Sequence, residues 1–377
     1  MTRKKGLLTL MAILMTLLLT NCLKEETHTI YSNQNPQSSP RIFVTTSDFT
    51  VGMVATISGT PPGTAFIPPV QVSSDTAARA FGSKVYVVNR YTFDNIQALD
   101  AANGFQTVIQ FSVGNGSNPQ DIAVVSDSKA YVSRFQNKSL WVGDPQSGNL
   151  SKEIDLSAYA DADGIPEAAK MVLVGNRLFV ALQRLDSQNY YVPTDKSSLV
   201  VINADTDAAV TVIDLAKTNP VTNLIYNKGD GKIYIGCAGA FQSFGYTTPD
   251  GGVETISVDT ATDTYTANGT VIDEATLGGD ISALAIVSST QAYALVSDAS
   301  FNNYVVRFNP ETGLKEATLY TTSAYVPDMA MDGSGYLYLA DRTLTNPGVR
   351  VWDTATDQPV GGPIWTGLPP YAFAVMP

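Results

Sequence analysis

The chain has 377 residues, of which 44% are hydrophobic and only 15% charged, so it can bury a large core and is not a disordered coat. Its net charge is −12, and removal of residues 1 to 21 takes away three basic residues and no acidic one, leaving −15. A surface that acidic repels phosphate backbones, so nucleic acid is excluded as a natural partner.

Residues 1 to 21 open on Arg3, Lys4 and Lys5, run through an apolar stretch from Gly6 to Leu19, and reach Thr20-Asn21-Cys22. This is the layout of a secretory signal with a cysteine at the cleavage point, and the apolar stretch is short for a membrane span. "LLTNC" resembles a bacterial lipoprotein box, although Asn21 stands where Gly, Ala or Ser is usual. The resemblance implies that Cys22 receives lipid, becomes the mature amino terminus and ties the chain to the cell envelope. Leu23, a non-acidic residue after that cysteine, points to the outer membrane or cell surface. Residues 22 to 40 lack periodicity and apolar content and read as a flexible tether. The other cysteine, Cys237 in "KIYIGC", reads as a small buried hydrophobe.

From residue 41 to 377 the chain repeats itself at a period of roughly 45 to 60 residues, the range of propeller blades. A strand with an aromatic near its start recurs as "RIFVTT" at 41, "KVYVVN" at 84, "KAYVSR" at 129, "RLFVAL" at 177, "KIYIGC" at 232, "QAYALV" at 291 and "YLYLAD" at 336. The last six are each followed by a turn segment, "ALDAANG", "VGDPQSG", "VINADTD", "SVDTATD", "FNPETG" and "VWDTATD", in which Asp or Asn opens a tight turn. Candidate inner strands precede most of the aromatic ones: "PQDIAVV", "AAKMVLV", "VTNLIYN", "ISALAIV" and "PDMAMD". The terminal "PYAFAVM" has no aromatic strand after it, and the first unit has no clear inner strand before it. The pattern predicts an all-β, seven-bladed β-propeller of four-stranded blades, with the C-terminal strand joining the N-terminal blade to close the ring and remove its edges.

"VYVVNRYTFDNIQALDAANG" at 85 resembles the YVTN β-propeller repeat family: Tyr86, Val87, Val88 and Asn89 match its strand end, and Asp100 its turn. Later units keep the pattern loosely, with Ser133, Leu182 and Asp341 near the place of Asn89. The resemblance implies a propeller on an exported or surface-anchored bacterial protein and carries no shared chemistry.

The interruption at 90 to 95 joins the second and third strands of its blade, and such loops project toward the mouth of the central channel. The equivalent stretches supply Arg90, Tyr91, Phe93, Arg134, Phe135, Arg184, Tyr190, Tyr191, Phe241, Phe244, Phe301, Tyr304 and Arg342, a mixture enriched in binding hot spots. Two roles stand open: these residues form a recognition surface, or they brace neighbouring blades and satisfy loop carbonyls. On the first, joint alanine substitution of Arg134 and Arg184 spares the fold and abolishes partner capture. The long insertions at 184 to 196 and 239 to 252 are candidate rim elements. Asp121 and Asp328 begin inner strands at equivalent places, with Glu167 and Asp280 nearby; together they are a candidate calcium set, and singly each is a turn cap. "DADG" at 161 lacks the full calcium-loop spacing and reads as a turn.

The only histidine, His28, lies in the tether, so the folded part can form neither a Ser-His-Asp nor a Cys-His arrangement, nor a His-ligated metal. Trp141, Trp352 and Trp365 fall in strand-like runs and read as core. The sequence therefore favours a monomeric, lipid-anchored binding or scaffold module without a required cofactor, its partner a protein, peptide or glycan and its membrane contact the lipid on Cys22. The competing reading is a calcium- and carboxylate-dependent propeller hydrolase, lactonase-like or glycan-cleaving.

Overall fold

In the computed structural model, residues 40–377 are described, apart from 195, 243, 244 and 246–248. The expected positions Cys22, His28 and Phe244 thus lie outside the described residues. The remainder forms seven antiparallel sheets in a ring, the predicted seven-bladed β-propeller.

Each blade is a simple up-and-down meander. Blade 1 pairs Pro40–Ser47 with Gly52–Ser58, and two short pieces, Thr64–Phe66 and Gln71–Val72, share its outer edge. Blade 2 comprises Thr76–Phe81, Lys84–Asn89, Asn95–Asp100 and Gln106–Ser112. Blade 3 comprises Pro119–Ser126, Lys129–Arg134, Ser139–Gly143 and Leu150–Asp155. Blade 4 comprises Ala168–Val174, Arg177–Leu182, Ser198–Asn203 and Ala208–Asp214, and carries a small extra hairpin, Leu185–Asp186 with Val192–Pro193. Blade 5 comprises Ile225–Asn227, Lys232–Cys237, Gly252–Asp259 and Thr264–Asp273. Blade 6 comprises Asp280–Ser288, Gln291–Ser297, Asn303–Asn309 and Leu314–Thr322. Blade 7 comprises Met329–Met331, Tyr336–Asp341, Gly348–Asp353 and Gln358–Ile364. The last strand, Pro370–Val375, pairs antiparallel with blade 1 and becomes its inner strand, Ile42 opposite Val375 and Val44 opposite Phe373.

Hydrophobic patterning sets the radial order. Second strands are apolar on both faces and are buried almost throughout, as in Arg177–Leu182, because each blade is packed between two others. Outer strands such as Leu150–Asp155 are polar and exposed. The core is accordingly a set of seven seams between adjacent blades. The aromatic of every second strand, Phe43, Tyr86, Tyr131, Phe179, Tyr234, Tyr293 and Tyr338, sits in these seams at no more than 1% exposure, which is why the sequence could not dispense with it. Cys237, Trp141 and Trp352 are buried as expected.

The turns joining third and fourth strands share one construction. The side chains of Asp100, Asp144, Asn203, Asp259, Asn309 and Asp353 each accept from the amide two residues on. Four residues after each of them the backbone turns left-handed, at Gly104, Gly148, Asp207, Asp263, Gly313 and Asp357. Where that position is aspartate, it latches the preceding blade. Tyr131 donates to Asp207, Tyr293 to Asp357 at 2.5 Å, and Arg177 to Asp263 at 2.7 Å. In blade 3 the position is Gly148, and a Cβ there would come within 2.4 Å of Phe111. No latch forms, and the buried hydroxyl of Tyr86 is left without a partner.

This difference predicts unequal effects of one chemical change. Tyr131→Phe or Tyr293→Phe should each cost about 1 kcal/mol in denaturant unfolding, whereas Tyr86→Phe should be neutral or stabilising because it removes an orphaned polar group. A loss for Tyr86→Phe as large as the other two would show that its hydroxyl is satisfied in solution.

Candidate functional site

Because every blade is a meander, the loops from second to third strand and from fourth strand to the next blade emerge on one face of the ring. All the strongly exposed aromatics among the described residues lie there: Phe49, Tyr91, Phe93, Tyr190, Tyr191, Phe301 and Tyr325. So do ten of the fourteen non-glycine residues with left-handed backbone, including Phe49, Arg184, Tyr190, Tyr191 and Phe301. Bulky residues rarely adopt that conformation, and it persists only where surrounding contacts enforce it.

Buried carboxylates tie several of the loops on this face together. Asp94 accepts the amides of Gly116 and Asn118 at 2.7 and 2.8 Å, tying the interruption at 90 to 94 to the segment leading into blade 3. Glu167 holds the amide of Leu185 at 3.0 Å, and Asp280 holds Gln242 through its amide and side chain at 2.8 and 2.9 Å. Glu274 accepts from Gly251 and Ile281 at 2.9 and 3.0 Å, and Glu254 accepts from Ala216 at 3.0 Å. Burial pushes Glu167 and Glu274 up to about 8, against the pull of the amides they bind.

The sequence-predicted residues separate into different roles. Tyr91, Phe93, Tyr190, Tyr191 and Phe301 are exposed on the loop face. Phe135 is half-buried against Tyr191, with ring centroids 5.9 Å apart, and the Tyr304 hydroxyl donates to Asp298 at 2.8 Å. Arg134 is only 3% exposed and spends its guanidinium on the carbonyls of Ser139 and Val113 and on Glu153, so it braces its blade and offers nothing to a partner. Its replacement by alanine strands those carbonyls, which corrects the expectation that the fold is spared. Arg184 donates to the carbonyls of Tyr159 and Lys196, and Arg342 to those of Pro369 and Pro370 while lying 4.2 Å from the Phe49 ring centroid.

Arg90 and Phe241 alone of that set line the cavity at the mouth of the channel, a space of about 360 Å³. Its walls include the small inner-strand residues Ala77, Ala78, Ser282, Ala283 and Ala372, together with Tyr325 and Tyr371. Three cations face it in an otherwise acidic protein. Arg79 makes a two-pronged pair with Asp121, both contacts 2.7 Å, and reaches Asn223 at 2.9 Å. Arg90 pairs with Asp75, its Nε at 2.9 Å, and Tyr371 donates to the same carboxylate at 3.0 Å. Lys170 makes one long contact, 3.4 Å to the carbonyl of Gln120. Burial pulls its ammonium down to about 8, Asp121 and Asp328 opposing and both arginines assisting. Burial also raises Asp328, which takes the amides of Phe373 and Met329 at 2.8 and 2.9 Å.

The candidate calcium set does not assemble. Asp121 is closed by Arg79 and the Met171 amide, Glu167 and Asp280 are loop anchors, and only Asp328 faces the cavity. Among the described residues, no group of three acidic, cysteine or histidine side chains is placed to hold a metal. "DADG" forms a turn, with Gly164 donating to the Asp161 carbonyl at 3.2 Å.

No family model matches the chain, and no curated protein matches it either. Solved structures do. A protein from Bacteroides uniformis provisionally assigned as a 6-phosphogluconolactonase superposes with a TM-score of 0.62 at 14% identity, covering 89% of this chain and 99% of that one. A second, from Bacteroides fragilis and similarly assigned, gives 0.58 at 16% identity, covering 89% and 98%. Hydrazine synthase of Kuenenia stuttgartiensis gives 0.56 at 14% identity, covering 87% and 99%. At such identities these likenesses show the propeller fold and nothing finer.

The raised glutamates make stability depend on pH. Between their ordinary value near 4.5 and about 8, the folded chain keeps protons that the unfolded chain has released, so stability falls as pH rises through that window. The thermal midpoint should therefore drop from pH about 5 to about 8, and Glu274→Gln should flatten the slope. An unchanged slope in that variant would assign the dependence to other groups.

Proposed function

We propose that this chain is an exported lipoprotein, anchored through lipid on Cys22, whose YVTN-like propeller is a non-enzymatic binding module that turns its loop face to a protein, peptide or glycan. The observation that carries the reading is the confinement of every strongly exposed aromatic among the described residues to that one face. Rigid aromatics lose little entropy on contact and are among the residue types enriched in binding hot spots. The opposite face, built of polar Asx turns, has no comparable feature among the described residues.

The test is crosslinking of the lipidated protein in its native envelope, beside a variant carrying Tyr91→Ser, Phe93→Ser and Phe301→Ser. These side chains are exposed, so the fold should be retained. A stoichiometric companion should be captured by the parent and held at least roughly 30-fold more weakly by the variant, the loss of one good aromatic anchor. Equal capture by both would defeat the reading.

The likeness to two structures assigned as lactonases, together with the Lys170 and Asp328 side chains in the channel, favours a second reading, a lactonase-like hydrolase. Acid release from lactones that is lost in Asp328→Asn would establish it in place of the first.

A further inference from the structure

Six ionic side chains gather round the channel mouth, and four of them are spent on each other. Arg79 and Asp121 close one pair, whose carboxylate also takes the amides of Met171 and Ile122 at 2.9 Å each. Arg90 and Asp75 close the other, sealed further by Tyr371. Lys170 and Asp328 remain. Neither has an ion-pair partner among the described residues, and the long contact to Gln120 leaves most of the ammonium's donor capacity unused.

Their positions in the ring explain why they do not meet. Lys170 stands on the inner strand of blade 4, and Asp328 at the start of blade 7, three blades away in a ring of seven and hence across the channel. Both line the same cavity. Asp328 has the amides of Phe373 and Met329, and each charge is favoured by the other across the cavity, but neither has a counter-charge in contact, so their desolvation is offset only in part. A ligand with a single negative charge would satisfy Lys170 while setting itself against Asp328; one with a single positive charge would do the reverse. A ligand carrying both charges satisfies both.

We propose that the channel mouth binds a small zwitterion of the amino-acid class, its carboxylate on Lys170 with Arg79 beside it and its ammonium on Asp328. The volume of about 360 Å³ admits a molecule of that size. The rings of Phe241, Tyr325 and Tyr371 at the wall would receive its side chain, and Asn223 adds a polar contact at the same level. This site is separate from the exposed aromatic rim and does not require a macromolecular partner there.

The test is calorimetric titration of the full chain, purified in detergent, with each of the twenty common amino acids. Gluconate and inorganic phosphate serve as probes with negative charge only, and ethylammonium as a probe with positive charge only. At least one amino acid should bind, and Lys170→Gln and Asp328→Asn should each weaken it by tenfold or more. Lys170→Arg should restore most of the affinity, which a merely structural lysine would not require. The single-charge probes should not compete. Failure of every amino acid to bind folded protein overturns the proposal, as does amino-acid binding unchanged in Lys170→Gln. Binding of gluconate or phosphate that survives Asp328→Asn also overturns it and makes the site one for anions. Should Asp328→Asn unfold the protein, Lys170→Gln and the single-charge probes still decide. None of these outcomes bears on envelope crosslinking, so the failure of this proposal and of the rim reading can be told apart.

Discussion

The pairing of Ile42–Thr46 with the C-terminal strand is the constraint on which the remaining structure rests. Seven separate sheets have no covalent reason to form a closed body; joining the two chain ends within one blade fastens them into a ring in which each is flanked on both sides and only short outer edges remain. The same joint reaches into the channel. Tyr371 and Phe373 lie on the closing strand, Asp328 accepts the Phe373 amide at 2.8 Å, and Tyr371 donates to the carboxylate that holds Arg90. Closure of the ring and arrangement of the cavity are therefore one event.

The distribution of carboxylates follows from this architecture. An acidic chain must place some acids inside, and here Asp94, Glu167, Glu254 and Glu274 are placed where loop backbone would otherwise bury unpaired amides. Each satisfies donors from a segment distant in sequence, so one side chain fixes two loops. The cost is desolvation, visible in the raised affinity of Glu167 and Glu274 for protons. What is gained is a set of loops tied to one another across the sequence.

The fold was legible because its signals are local and repeated. The buried aromatic of each second strand and the Asx turn after six of the seven third strands recur in register, and the unmatched strands at the two ends announce closure. The site was legible only in part. Arg90 and Phe241 were found through the loops that carry them, but Arg134 and Arg342, three and four residues after their strand aromatics where Arg90 is four, turn inward to carbonyls. Spacing along one strand cannot say which way a long side chain turns when the choice is made by a neighbouring blade. Arg79 and Lys170 were missed because inner strands are read by apolar content. "TAARAF" is nearly all small residues, and the alanines that keep the channel open also hide the strand. A cation embedded in such a run, facing a channel in an acidic chain, is the signal that was available.

The missing latch between blades 2 and 3 has a consequence for how the ring is held together. Seams bolted by a tyrosine or arginine to the next turn's aspartate are tied at their outer margin, whereas the seam under Tyr86 has no such bolt there: Phe111 packs against Trp141 at 5.3 Å between ring centroids, and its polar ties, Arg79 to Asp121 and Asp94 to Gly116 and Asn118, lie at the channel and in the loop face. Hydrophobic contact holds while water is excluded, so the outer margin of this seam depends on the fit of Phe111 against Trp141. The seven blades are thus not interchangeable: a single turn position, aspartate at 207, 263 and 357 and glycine at 104, 148 and 313, decides which seams carry an outer latch.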